Sequence, residues 1–206
     1  MSISLQKGQR ISLSKESPGL SKIMCGLGWD VAEKKSKSGG GLLSALTGGG
    51  GGQDFDLDAT VLCLDDKNKL ASKKDIVYFG NLKHPSGAII HQGDNLTGEG
   101  EGDDEVILVD LAKIPAQISK LVFVVTIYQA VKRKQDFGQV ENAFVRLVNQ
   151  GNNKELARYN LSGNDYTQMT AMTLAEVYRH QGDWKMAAVG NGFQVEGLQD
   201  IVKKYQ

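Results

Sequence analysis

Cysteine is scarce in this 206-residue chain: Cys25 and Cys63 lie far apart, with no CxxC pair and no histidines at ligand spacing. That argues against a disulfide framework and against a zinc site. Histidine is scarce too, and His84, His91 and His180 are scattered without a Ser or Cys placed to partner them, so imidazole-based catalysis is not indicated. Long apolar runs are missing. The best candidate, Leu121 to Tyr128, has eight residues, against the roughly 18 that a membrane-spanning helix needs. The first residues alternate polar and apolar types instead of forming an apolar leader, so no secretory signal is expected. Net charge is absent as well, because 24 basic residues cancel 24 acidic ones. Global charge therefore supplies no argument for nucleic acid or for a general attraction to membranes. The expected location is the cytoplasm, with peripheral attachment at the inner face of the membrane left open.

What the chain has in quantity is apolar residues at a period of two. With 40% hydrophobic content, residues 1 to 206 are expected to bury one core as a single domain. Ile3 and Leu5, then Ile11 and Leu13 across Lys7-Gly8, read as a short hairpin. Ile23, Cys25, Leu27 and Trp29 alternate with smaller or polar residues, and Asp54 to Leu64 alternates first and becomes apolar later. Six further β-rich runs follow, at 76–79, 88–91, 106–110, 121–128, 142–148 and 155–161. Thr170 to His180 and Trp184 to Phe193 form a C-terminal hairpin pattern across Gln181-Gly-Asp183, although residues 170–179 are also compatible with helix by propensity. Helix is suggested in two segments, a turn or so at Ile114 to Ser119 and a stretch at Gly197 to Tyr205, where Leu198, Ile201, Val202 and Tyr205 share a face. The fold class is all-β, a sandwich of mostly antiparallel strands with one or two short helices, including a C-terminal one.

Residues 35–53 interrupt that pattern. Eight glycines in the fourteen residues from Gly39 to Gly52 predict a flexible insertion. It lacks the GK[ST] of a phosphate-binding loop. Its Leu42, Leu43 and Leu46, on a basic stem, suit a loop that dips into a membrane or a partner groove, against the plainer reading of a tolerated insertion. The basic run Lys132-Arg-Lys134 reads as a solvated turn, with a docking patch as the alternative.

The acidic residues carry most of the functional signal. On a strand, Asp54, Asp56 and Asp58 share one face, and like charges a few ångströms apart repel unless a cation or solvent screens them. An EF-hand is excluded, because position six of that loop is Ala59 and position twelve is Asp65. From Gly93 to Glu105, six carboxylates and four glycines occupy thirteen residues without one positive charge. Hard divalent cations take six to eight oxygens, so backbone carbonyls must contribute, and glycines let the main chain present them. With no thiolate or imidazole among the donors, calcium fits better than zinc or copper. A solvated acidic loop is the competing reading.

Gly28-Trp-Asp30, Asp54-Phe-Asp-Leu-Asp-Ala59, the run from Gly93 to Glu105, Glu176-Val-Tyr-Arg-His180 and Trp184 to Gly190 together resemble the TerD family of tellurium-resistance and general stress proteins. The resemblance covers nearly the whole chain. It implies a β-sandwich that binds a pair of calcium ions at clustered loops and has no established enzymatic activity. It also implies protein partners, among them a membrane-embedded resistance protein and sibling family members. The ligand set it implies draws on Asp30, Asp56, Asp58, Asp94, Asn95, Thr97, Glu99, Gly102, Asp103, Asp104 and Glu105. The expected function is therefore a non-enzymatic, calcium-binding stress-response protein whose ion orders an interaction surface. A calcium-dependent phospholipid-binding module is the first alternative, and a metal-dependent hydrolase is the second.

Overall fold

The alternation of apolar and polar residues folds into two six-stranded sheets packed face to face in the computed structural model, which describes residues 2–31, 55–93, 102–161 and 166–206. One sheet runs β1 (Ile3–Leu5), β10 (Lys154–Asn160), β9 (Val140–Asn149), β3 (Lys22–Val31), β7 (Glu105–Asp110), β6 (Ile89–His91). The other runs β2 (Arg10–Ser12), β12 (Asp183–Phe193), β11 (Ala171–His180), β8 (Lys120–Ile127), β4 (Leu57–Leu64), β5 (Ile76–Val77). Neighbours are antiparallel except β1 and β10. The all-β sandwich expected from the sequence is the observed fold.

Four local expectations meet different outcomes. The turn at Lys7-Gly8 exists, with Gly8 at φ +84°, but it does not close a hairpin. Gly8 N donates to Ala188 O, and the chain passes from β1 in one sheet to β2 in the other, so both short strands serve as edges. Residues 171–180 form a strand, because hydrogen bonding to β8 and β12 on both sides outweighs their helical propensity. The turn expected at 114–119 forms, with Ile118 N donating to Pro115 O. Pro115 disfavours helical backbone at Ile114, which adopts ψ 122°. The C-terminal helix forms as α3 (Leu198–Val202), extended by a 3₁₀ turn over Lys203–Tyr205.

Helix α3 explains why β4 changes from alternating to continuously apolar. Leu57, Ala59, Val61 and Cys63 face the interior between the sheets, while Leu62 and Leu64 pack on the outside beneath Ile201 and its neighbours. A strand covered on both faces has no polar side to display. Asp58 and Thr60 share the outward face with Leu62 by the two-residue period, nearer the start of the strand.

Strand pairing brings the acidic segments to one end of the sandwich. Leu27 pairs with Glu105, Asp30 with Glu141 and Leu57 with Ile127. The end of β3 and the starts of β7 and β9 are thereby neighbours, and Ala59 N near the start of β4 reaches Glu105 at the start of β7 from the other sheet.

Ile201 is fully buried in the outer cluster. Ile201→Ala is expected to destabilise the chain by about 2–4 kcal/mol, read as a lower urea midpoint with an unchanged denaturation slope.

Candidate metal centre

The site is built on Gly26-Leu-Gly-Trp-Asp30 of β3. Leu27 and Trp29 point into the core, so Gly26 and Gly28 present bare backbone on the outer face. The segment 102–105 lies against that backbone. Asp104 N donates to Leu27 O at 2.7 Å, and Trp29 N donates to Asp104 Oδ2 at 2.8 Å. A Cβ at Gly28 would stand 2.8 Å from Gly102 O and overlap the Phe144 ring, while one at Gly26 would overlap the Asp103 carboxyl group. Gly102 itself has φ +129°, a conformation that glycine adopts without strain.

The three consecutive acids have three different surroundings. Asp103 is held by Arg146 of β9 in a two-pronged pair, Nε to Oδ1 at 2.7 Å and a terminal nitrogen to Oδ2 at 2.8 Å. Asp104 is half-buried beside two other carboxylates. Burial raises its pKa above the usual carboxylate range, and the charges of Asp30 and Asp103 push it further up against the opposing Trp29 N–H bond. Glu105 turns into the interior, 1% exposed, where its Oε2 accepts from Ala59 N of the opposite sheet at 2.6 Å. His91 lies beside it: Gly93 N donates to His91 Nδ1 at 3.2 Å, which assigns the ring proton of a neutral imidazole to Nε2, 3.5 Å from Glu105 Oε2. Glu105 thus joins one flank of the acidic loop to the second sheet, and His91 on the other flank lies beside it.

The remaining described candidates sit nearby on separate elements. Asp30 is exposed and its Oδ2 accepts from Asn142 Nδ2 at 2.7 Å. Asp58 is buried at the start of β4, and Asp56 is 3.9 Å from Arg133 in α2 (Ala130–Arg133). The structure brings Asp30, Gly102, Asp103 and Asp104 together on the β3 side and places Asp56 and Asp58 on the outward face of the other sheet, at the same end. Asp94, Asn95, Thr97 and Glu99, and the insertion at 35–53 with Leu42, Leu43 and Leu46, lie outside the described residues. Among the described residues no group of three or more His, Cys, Asp or Glu is placed to hold a metal ion.

A hard cation nevertheless suits this donor chemistry. The carboxylates that raise the Asp104 pKa are all oxygen donors, Gly102 adds a main-chain carbonyl, and His84 is occupied elsewhere by Asp75 and Ser86. Both thiols are buried, and burial pushes the Cys25 and Cys63 pKa values far up, the state of an inert core cysteine. The basic run at 132–134 ends α2, with Lys134 in the left-handed conformation as its cap, and Arg133 stacks on Tyr128. Sequence reasoning missed Arg146, Gly26, Asn142 and the role of His91. Only the Gly-x-Gly spacing in β3 hinted at a close approach of another segment.

Comparison with known proteins bears on family and fold. The TerD domain model matches residues 1–205. Stress response protein SCP2 of Bacillus subtilis (strain 168) is 53% identical over 205 residues, covering 100% of both chains. Tellurium resistance protein TerD of Serratia marcescens is 42% identical over 205 residues, covering 100% of this chain and 97% of the relative. The crystal structure of a homologue of telluride resistance protein (TerD) from Streptomyces coelicolor A3(2) superposes with a TM-score of 0.65 over 91% of this chain and 99% of that one; at 20% identity it supports the fold alone.

Gly28→Ala is expected to destabilise the chain by about 1–3 kcal/mol, because neither a main-chain carbonyl nor a packed ring can yield freely. Hydrogen exchange at the Asp104 amide is the specific check: its protection should fall in the variant more than that of amides in β11.

Proposed function

Since this chain belongs to the TerD family of tellurium-resistance and stress-response proteins, we propose that it is a non-enzymatic calcium-binding member, in which calcium orders the acidic end of the sandwich into a surface for protein partners. The observation that carries this reading is the half-buried Asp104 standing beside Asp30, its pKa raised first by burial and then by the charges of Asp30 and Asp103. A carboxyl whose native pKa is raised binds its proton more tightly in the folded than in the unfolded chain. Its ionisation therefore weakens the fold above that pKa, and the penalty fades as pH falls through it. A bound divalent cation relieves the same penalty at neutral pH.

Asp30, Asp104 and the Gly102 carbonyl would hold one ion, completed by Asp94, Asn95, Thr97 and Glu99. The separate position of Asp56 and Asp58 supports a second ion over a single shared one. Calcium would supply charge neutralisation and order and no chemical step. The partners on this reading are proteins, among them a membrane-embedded resistance protein and sibling family members.

Binding at a hundredfold excess over Kd stabilises a native state by about 2.7 kcal/mol, so the wild-type melting temperature should rise by roughly 5–10 °C in calcium. Asp104→Asn should have opposite effects in the two conditions. In chelator it should melt at or above wild type, because repulsion and charge burial are relieved; in calcium most of the ion-induced rise should vanish. A wild-type chain that melts identically in chelator and in calcium would refute the reading.

A further inference from the structure

We propose that Asp103 belongs to Arg146 and not to the calcium cage: it is an internal anchor that fixes the C-terminal flank of the acidic loop whether or not an ion is bound. The inference rests on the calcium reading for its second half and on geometry alone for its first. Both Asp103 oxygens face the guanidinium, at 2.7 and 2.8 Å, and the carboxyl group is 7% exposed. Such a pair matches two parallel donors to two acceptors, the strongest arrangement open to a carboxylate. The carboxyl group also lies flat on Gly26, where any Cβ would overlap it.

Arg146 is itself fixed. It is the register partner of Gly26 on β3 and of Arg158 on β10, and its second terminal nitrogen reaches Glu155 Oε2 at 3.3 Å. Glu155 in turn accepts from Arg158 at 3.0 Å and from Ser2 Oγ at 2.7 Å. The ladder Asp103, Arg146, Glu155, Arg158 therefore ties the segment lying on β3 to β9 and β10 along one outer face. A divalent ion sharing the Asp103 carboxylate would stand close to a guanidinium that this ladder holds in place, and the two cations would repel. Asp103 provides position, and Asp30 and Asp104 are left to face the ion. Arg146 is by the same argument a positioning residue, and lysine does not replace it, because it carries the charge without the planar fork.

The test is a double-mutant cycle on the full chain, Asp103→Asn with Arg146→Met, by urea denaturation in chelator and in saturating calcium, with calorimetric calcium titration of each variant. The coupling between the two residues should be the same in both conditions within about threefold in the folding equilibrium constant. Asp103→Asn should keep the wild-type calcium stoichiometry with Kd within about threefold, while Asp104→Asn weakens binding at least tenfold, and Arg146→Lys should not restore the coupling. Coupling that is absent in chelator, or that collapses in calcium, would overturn the anchor, as would loss of an ion in Asp103→Asn. A wild-type chain that binds no calcium but keeps the coupling would sink the calcium reading and leave the anchor standing. If a variant fails to fold, the Arg146 Nε–H resonance of the wild-type chain decides: it should be protected from exchange and stay in place on calcium addition, and its absence or a large shift would overturn the proposal.

Discussion

Six carboxylates in thirteen residues can be folded against a β-strand only where each charge is given a counter-charge, a hydrogen bond or water. The described part of that segment uses the first two. Asp103 takes a guanidinium, Glu105 takes a backbone N–H of the opposite sheet, and Asp104 takes one N–H and keeps a share of unrelieved repulsion. Strand β3 makes this possible by having no side chains at 26 and 28, so the segment can reach the backbone itself. A methyl group at either position would push it away, and the contacts of Asp103 and Asp104 with it.

Placing Glu105 inside the sandwich is the costly part of the arrangement, since a buried carboxylate needs partners that replace water. Ala59 N fills that need at a point where β5 no longer pairs with β4: the ladder between those strands covers only Val61 and Leu62. The acid thus stands where a neighbouring strand would otherwise continue. It also ties the base of the acidic loop to the second sheet, so order at the loop and packing between the sheets are mechanically linked.

Much of the fold is legible in the sequence, and the reasons for the exceptions are physical. The period-two runs locate most of the strands because one side of each faces a common core. Leu198, Ile201, Val202 and Tyr205 announce the terminal helix for the equivalent reason at period 3.6. The Lys7-Gly8 turn misleads because turn chemistry reports a change of direction and not which sheet receives the next strand. The acidic run and the row at Asp56 and Asp58 are visible from composition and spacing. The division of labour among Asp103, Asp104 and Glu105 is not, because it depends on residues 43 and 46 positions away, Arg146 and Ala59. A carboxylate held by arginine and one free to bind an ion look the same in one dimension.

The central claim is that calcium enters at the β3 side of the acidic end, beside carboxylates that the strand and Arg146 have already set in place. A crystal structure determined with calcium tests it most directly. The account predicts an ion whose oxygens include those of Asp30 and Asp104, with both Asp103 oxygens still on Arg146. An acidic end without an ion in saturating calcium, or an ion bound only after Asp103 has left Arg146, would contradict it.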